Sequence, residues 1–275
     1  MPLCLMNQVN KIYLLDHGKI RADIGWFLPT PMTVEEMTNP KPRNWVDVSV
    51  MSAVIEHKDG IILFDTGISE KSKTKCPNMA LSVFPIVSFS DENKIENQLK
   101  SIGLKPEDIH FIVFSHLHLD HTGSLEIFKS SKPGIIVHEK ELKFALLNAW
   151  LNKPVPYVYD DLELLRNMNI MPITGEYFEL LPGIELFLFG GHTPGSIVVK
   201  VRTKNENNYV FTGDFLHVPE ELDYESKGWL LGDAEEYFLN MKKLKAMMKV
   251  PRTSVIISHD PKLWDKYPKA PKSLD

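Results

Sequence analysis

Cysteine is nearly missing from this 275-residue chain: Cys4 and Cys76 are the only two. Seventy-two positions separate them, so the sequence offers neither a clustered thiolate metal site nor a Cys-x-x-Cys redox pair. A disulfide framework is not expected, which fits a reducing compartment and a cytoplasmic protein. No stretch approaches the roughly 18 apolar residues needed to span a bilayer. The start, MPLCLMNQVNKIYLL, lacks the basic segment, long apolar run and small-residue cleavage site of a secretory leader. No membrane association is therefore expected. Excess positive charge is missing as well. The 31 Lys and Arg against 36 Asp and Glu leave a formal charge of −5. A phosphate-rich partner asks for a concentrated cationic surface, so nucleic acid is not expected. Lys71, Lys73 and Lys75 and the lysine-rich C-terminus read as solvated surface. A Gly-x-Ser-x-Gly elbow and a phosphate-binding P-loop are both absent, which argues against serine hydrolases and P-loop NTPases. With no linker, repeat or composition break, 1–275 is read as a single domain.

Short β-branched and aromatic runs alternate with helix-like segments. Strands are predicted at 48–56 and 61–64, joined by a turn at Lys58-Asp59-Gly60, and at 110–114, 135–137, 184–189, 196–201, 208–212 and 254–257. Helices are predicted at 91–102, which opens on Asp91, at 139–150 and at 237–248. Such a mixture suggests sheet layers covered by helices.

Histidine placement carries the chemistry. Ten occur, and three fall in the pattern His116-x-His118-x-Asp120-His121, directly after a predicted strand. Neutral imidazole and carboxylate together suit Zn²⁺ and other divalent first-row metals. The spacing is too tight for one helix face. On a strand-exit loop, His116 and His118 can converge on one ion while Asp120 and His121 point to another. His192 follows the 184–189 strand in Gly-Gly-His-Thr-Pro-Gly, Asp214 follows 208–212 in Thr-Gly-Asp, and His259 follows 254–257. Four strands thus each deliver a metal-capable residue just past their C-terminal ends, as expected of a site built on a scaffold's rim.

On these motifs, together with Asp65-Thr66-Gly67, the chain resembles the metallo-β-lactamase superfamily over most of its length. The resemblance implies an αββα sandwich, two sheets face to face with helices outside. It implies two divalent metal ions, zinc first and iron, manganese or cobalt as alternatives. His116, His118 and His192 would hold one, Asp120, His121 and His259 the second, and Asp214 both. A hydroxide bridging the pair would be the nucleophile, since paired metals lower the pKa of a shared water and polarise the bond under attack. Within the superfamily, His118 stands where the flavodiiron oxidoreductases carry an acid, and Asp214 departs from the true zinc β-lactamases. The Ser-His-Leu-His-Leu-Asp-His-Thr-Gly run, Gly-His-Thr-Pro-Gly, Thr-Gly-Asp and Ser258-His259-Asp260 are most similar to the N-acyl-homoserine lactonase group. Hydrolysis of a lactone ring is the implied activity, with Asp120 doubling as proton shuttle to the departing alcohol. A glyoxalase II-like thioester hydrolase or a phosphoesterase on the same dinuclear site is the alternative.

One position departs from that group. Many lactonases carry a tyrosine three residues after the bridging Asp, and here His217 stands there. An imidazole can also donate a hydrogen bond, so His217 is expected to assist catalysis and contact substrate. Two apolar, aromatic segments are candidates for the substrate groove, 24–29 with Trp26 and Phe27, and 149–159 with Trp150 and Tyr157. Asp65 and Asp260 are expected to support ligands rather than bind metal, His138 to be structural, and His17, His57 and His110 to have no assigned role. The resemblance also permits a homodimer.

Overall fold

The computed structural model describes residues 9–29, 33–39, 42, 44–76 and 78–275, and Cys4 lies outside them. Among the described residues thirteen strands run in chain order: β1 (Val9–Asp23), β2 (Trp45–His57), β3 (Gly60–Phe64), β4 (Ile86–Ser88), β5 (Phe111–Val113), β6 (Gly134–His138), β7 (Asn169–Ile173), β8 (Tyr177–Leu181), β9 (Ile184–Leu188), β10 (Ile197–Arg202), β11 (Asn208–Phe211), β12 (Thr253–Ile256) and β13 (Ser273–Leu274). They form two sheets, ordered β13-β1-β2-β3-β5-β6-β7 with β4 also on β1, and β12-β11-β10-β9-β8.

Alternation along the strands explains the layering. In β2, Ala53 and Ile55 join Ile12, Leu14 and Ile62 between the sheets, where they meet Leu186, Val199, Val201 and Phe211 of the second sheet. Val54 points the other way, with Leu63 and Ile112, onto a layer containing Leu99, Ala145, Leu162 and Leu165 from helices. On the far side, Val198 and Val210 pack against Tyr237, Met241 and Leu244 of the helix Ala234–Met248. Each such aliphatic side chain removed from water contributes roughly 1.5–3 kcal/mol. The result is the expected αββα sandwich. Among the described residues no helix is long and apolar enough to cross a membrane.

The element readings hold within a residue or two for β3, β9, β10, β11, β12 and the helix Glu139–Trp150. Three differences bear on the site. Residues 24–29, before which no strand is predicted, follow β1, a 15-residue strand paired with β2 along most of its length. The 91–102 helix is broken at Lys94, whose backbone is extended, into a turn at Asp91–Asn93 and the helix Ile95–Ser101. Finally, the His-x-His-x-Asp-His run is not all loop. His118 caps a short helix, Leu119–Thr122, so Asp120 and His121 ride its first turn while His116 lies in the strand-exit loop before it.

Candidate metal centre

Parallel pairing of β3, β5 and β6, and of β11 with β12, directs their C-terminal ends to one rim. There the seven residues singled out in the sequence form two buried groups that share Asp214: His116, His118, His192 and Asp214, and Asp120, His121, Asp214 and His259.

In the first group His116 Nε2 is 2.9 Å from His118 Nδ1, and His192 Nε2 is 3.1 Å from that same atom. Asp214 Oδ2 lies 3.7 Å from His116 Nε2 and 3.4 Å from His192 Nε2. Nitrogen donors around a tetrahedral zinc, each about 2.0–2.1 Å from the ion, stand about 3.3 Å from one another. Burial lowers all three histidines, His118 to about 3 and the other two well below the ordinary value. Three neutral imidazoles turning nitrogens on one point in a dry interior are favourable around a cation and poorly satisfied otherwise.

The second group reaches the same end differently. His121 Nδ1 donates to Asp65 Oδ2 at 2.8 Å, and His259 Nδ1 to the Ser49 carbonyl at 2.7 Å. Each ring therefore turns Nε2 inward, His121 3.2 Å and His259 3.0 Å from Asp214 Oδ1. Asp120 Oδ1 and Oδ2 stand 3.7 Å from His121 Nε2 and 3.6 Å from His259 Nε2. Burial would lower both histidines, but Asp214 and Asp120 (with Asp65 beside His121) outweigh it and raise them. Burial would likewise raise Asp214, yet His259, His121, His217 and His116 hold it well below the usual carboxylate range. A cation placed among these inward nitrogens and carboxylate oxygens would meet donors from every side. The two oxygens of Asp214 face different groups, the geometry of a bridging carboxylate.

The supports are as informative as the donors. Asp65, in the left-handed region at φ 57°, accepts the Ser115 N–H (2.7 Å) and Ser115 hydroxyl (2.8 Å) besides the His121 ring. The Ser115 hydroxyl in turn lies 3.0 Å from His116 Nδ1, so one carboxylate orients a histidine in each group, directly or through a serine. The expectation for Asp65 thus holds. Asp260 instead accepts from the Leu263 N–H and caps the helix Pro261–Lys266, and His138 caps Glu139–Trp150.

Glu141 was not singled out in the sequence. It is fully buried, and its Oε1 accepts the Leu117 N–H, between His116 and His118, while Oε2 accepts the Thr193 hydroxyl beside His192. Its only sequence trace is the glycine of His-Thr-Pro-Gly, since a Cβ on Gly195 would lie 2.1 Å from the Glu141 backbone nitrogen. His17 is also buried, between the Asn93 carbonyl and the Ser52 hydroxyl, and packs on Gly67 (φ +67°), where a Cβ would sit 2.3 Å from its ring. It props the Asp65 loop.

A cavity beside the two groups is lined by Ile20, Trp26, Phe27, Val48, Phe84, Leu119 and Trp229, with His118, Asp120, His192, Asp214, His217 and His259 in its floor. Among the described residues, no lysine or arginine lines it. Trp26 and Phe27 line this cavity, Phe27 stacked on His217 at 4.6 Å. Two residues of the second expected segment do not. Trp150 is 71% exposed and absent from the lining, because the helix turns Ala145 and Ala149 inward and the next position falls on its outer face. Tyr157 is buried behind the floor, its ring 4.8 Å from His118 and its hydroxyl donated to Glu141. Pro156 takes that place in the lining. Trp229 and Phe84 were not anticipated.

Comparison with known proteins gives the same picture. Residues 45–259 match the metallo-beta-lactamase superfamily. An N-acyl homoserine lactonase, AiiB of Agrobacterium fabrum (strain C58), is 26% identical over 261 residues, 91% of this chain and 94% of that protein. An N-acyl homoserine lactonase of a Bacillus species is 30% identical over 224 residues, 80% of this chain and 84% of that one. Among solved structures, an N-acyl homoserine lactone hydrolase with N-hexanoyl-L-homoserine at its catalytic metal center superimposes with a TM-score of 0.80 at 24% identity, covering 97% and 100% of the two chains. AidC, a dizinc quorum-quenching lactonase, does so at 0.66 and 20% identity, covering 98% and 96%. With the sandwich, the seven donors at its rim and a match over most of its length, the chain belongs to the metallo-β-lactamase superfamily.

Proposed function

We propose that this protein is a dinuclear metal-dependent hydrolase that opens the lactone ring of N-acyl homoserine lactones. The observation that carries the choice of substrate is the cavity: apolar on one side, ligand-floored on the other, and, among the described residues, without a lysine or arginine in its lining. A neutral acyl lactone suits those walls, whereas the carboxylates of a glutathione thioester would find no cationic side chain among the described lining residues. The full-length likeness to proteins named N-acyl homoserine lactonases supports the same reading.

In this reading His116, His118 and His192 hold one ion, Asp120, His121 and His259 the other, and Asp214 both. Imidazole and carboxylate donors favour zinc, with iron, manganese or cobalt as alternatives. Two such ions supply an activated water and polarise the ester carbonyl. The rest falls to the chain. Trp26, Phe27 and Trp229 exclude water and hold the acyl chain. His217, whose Nε2 is 3.2 Å from Asp214 Oδ2, offers a hydrogen bond to a substrate oxygen at the floor. Asp120, at the same floor, carries a proton to the departing alcohol oxygen. Residues 1–275 are read as one domain.

Purified protein assayed on an acyl homoserine lactone, a glutathione thioester and a phosphodiester, with and without chelator, tests the proposal. Lactone opening that chelator abolishes is expected. Robust thioester or phosphodiester cleavage with no lactone turnover would overturn it.

A further inference from the structure

Behind His217 lies a buried cation that the mechanism above does not use. Lys227 follows the helix Pro219–Tyr224, and its side chain is 1% exposed. Its Nζ stands 2.8 Å from the Asp214 carbonyl, 3.2 Å from the Phe215 carbonyl, 2.8 Å from Glu221 Oε1 and 2.6 Å from His217 Nδ1. The first three can only accept. An ammonium has three protons and no lone pair, so it cannot accept from an imidazole N–H at 2.6 Å. His217 Nδ1 must therefore turn a lone pair toward Lys227, and a neutral ring with an accepting Nδ1 carries its proton on Nε2. Nε2 is the nitrogen facing Asp214 Oδ2 at 3.2 Å, beside the floor of the cavity.

Glu221 supplies the alternative that makes this arrangement a choice. Its Oε1 lies 3.3 Å from the same His217 Nδ1, and its Oε2 is fixed by the backbone N–H groups of His217 and Val218. Without the ammonium, that carboxylate would take an Nδ1–H and draw the ring proton away from the cavity. Phe27, stacked on the ring, holds its plane and leaves the tautomer as the free variable.

We propose that Lys227 is a positioning residue that fixes His217 as the Nε2–H tautomer, so that the imidazole presents a permanent hydrogen-bond donor to the substrate oxygen at the dinuclear site. The donor's target rests on the lactonase reading. The tautomer does not.

The direct test is the nitrogen-15 spectrum of histidine-labelled, zinc-loaded protein, with His217 assigned by the signals lost in His217→Gln. The expected pattern is a pyridine-type Nδ1 and a pyrrole-type Nε2. In Lys227→Met it should invert or average. That variant should also lose on the order of tenfold or more in kcat on an acyl homoserine lactone with KM nearly unchanged, and adding it to His217→Ala should cost nothing further. A proton on Nδ1 in the wild-type protein, a doubly protonated ring, or an unchanged tautomer in Lys227→Met would overturn the proposal. So would a changed tautomer with full kcat. If Lys227→Met fails to fold, the wild-type spectrum still decides the tautomer. If the tautomer is as stated but no lactone is opened, the functional reading fails and the assignment of Lys227 stands.

Discussion

Asp65 should control metal affinity without touching a metal ion, and Asp65→Asn isolates that role. Asparagine tolerates the left-handed backbone that position 65 adopts, so the exchange adds little strain. The amide oxygen can still accept the Ser115 N–H. Its NH₂, however, replaces the oxygen that accepts from the Ser115 hydroxyl and from His121 Nδ1. A donor facing Nδ1 makes that atom an acceptor and moves the His121 proton to Nε2, the nitrogen 3.2 Å from Asp214 Oδ1. A protonated nitrogen cannot bind metal. Outer partners of metal-binding histidines are typically worth 10–100-fold in affinity, about 1.4–2.7 kcal/mol. The loss should fall mainly on the group containing His121, because Asp65 reaches His116 only through Ser115. Competition against a chromophoric zinc chelator would resolve the two affinities. One site weakened at least tenfold, with the other changed little, is the expected outcome. Two sites of wild-type affinity would refute the reasoning about His121.

Other outcomes follow from the cavity and its supports. Trp229→Ala opens the wall against which Trp26 packs edge-on at 5.1 Å. It should raise KM several-fold for long-chain acyl homoserine lactones with a smaller effect on short ones, whereas equal KM changes across chain lengths would remove Trp229 from the acyl wall. His17 is fully buried, and burial depresses it to about 4. The unfolded chain gains a proton below about pH 6.5 that the native state refuses, so this contribution is complete above pH 6.5 and disappears as pH falls toward 4. About 3 kcal/mol is at stake. Urea unfolding of wild type against His17→Gln should show the wild-type advantage shrinking by most of that amount between pH 7 and pH 4, and an advantage independent of pH would contradict it.

The donors were legible in the sequence because each follows a strand with strong β character, and strand ends in layered folds share a rim. Their spacing on the strand-exit loop already divided His116 and His118 from Asp120 and His121, but the places of His192, Asp214 and His259 were legible only through resemblance. What the sequence hid was whatever depends on facing rather than order. Glu141 and Lys227 look like solvated charges on helical or loop stretches, and only the packing of other elements over them makes them buried supports. Trp150 misled for the same reason, since an aromatic one residue past an inward-facing alanine falls on the outer face of its helix. β1 was missed because Asn10, Lys11, Asp16, Lys19 and Arg21 interrupt its apolar pattern, and a register shift between Asp16 and Lys19 breaks the alternation. Pairing along β2, not its own composition, makes that segment a strand.

Metal content tests the central claim most directly. Protein loaded with excess zinc, desalted and measured by elemental analysis should retain two ions per chain, one for each donor group, and Asp214→Ala should retain fewer. Less than one tightly held ion in the wild-type protein, or full retention without the Asp214 carboxylate, would contradict a dinuclear centre built on that bridge.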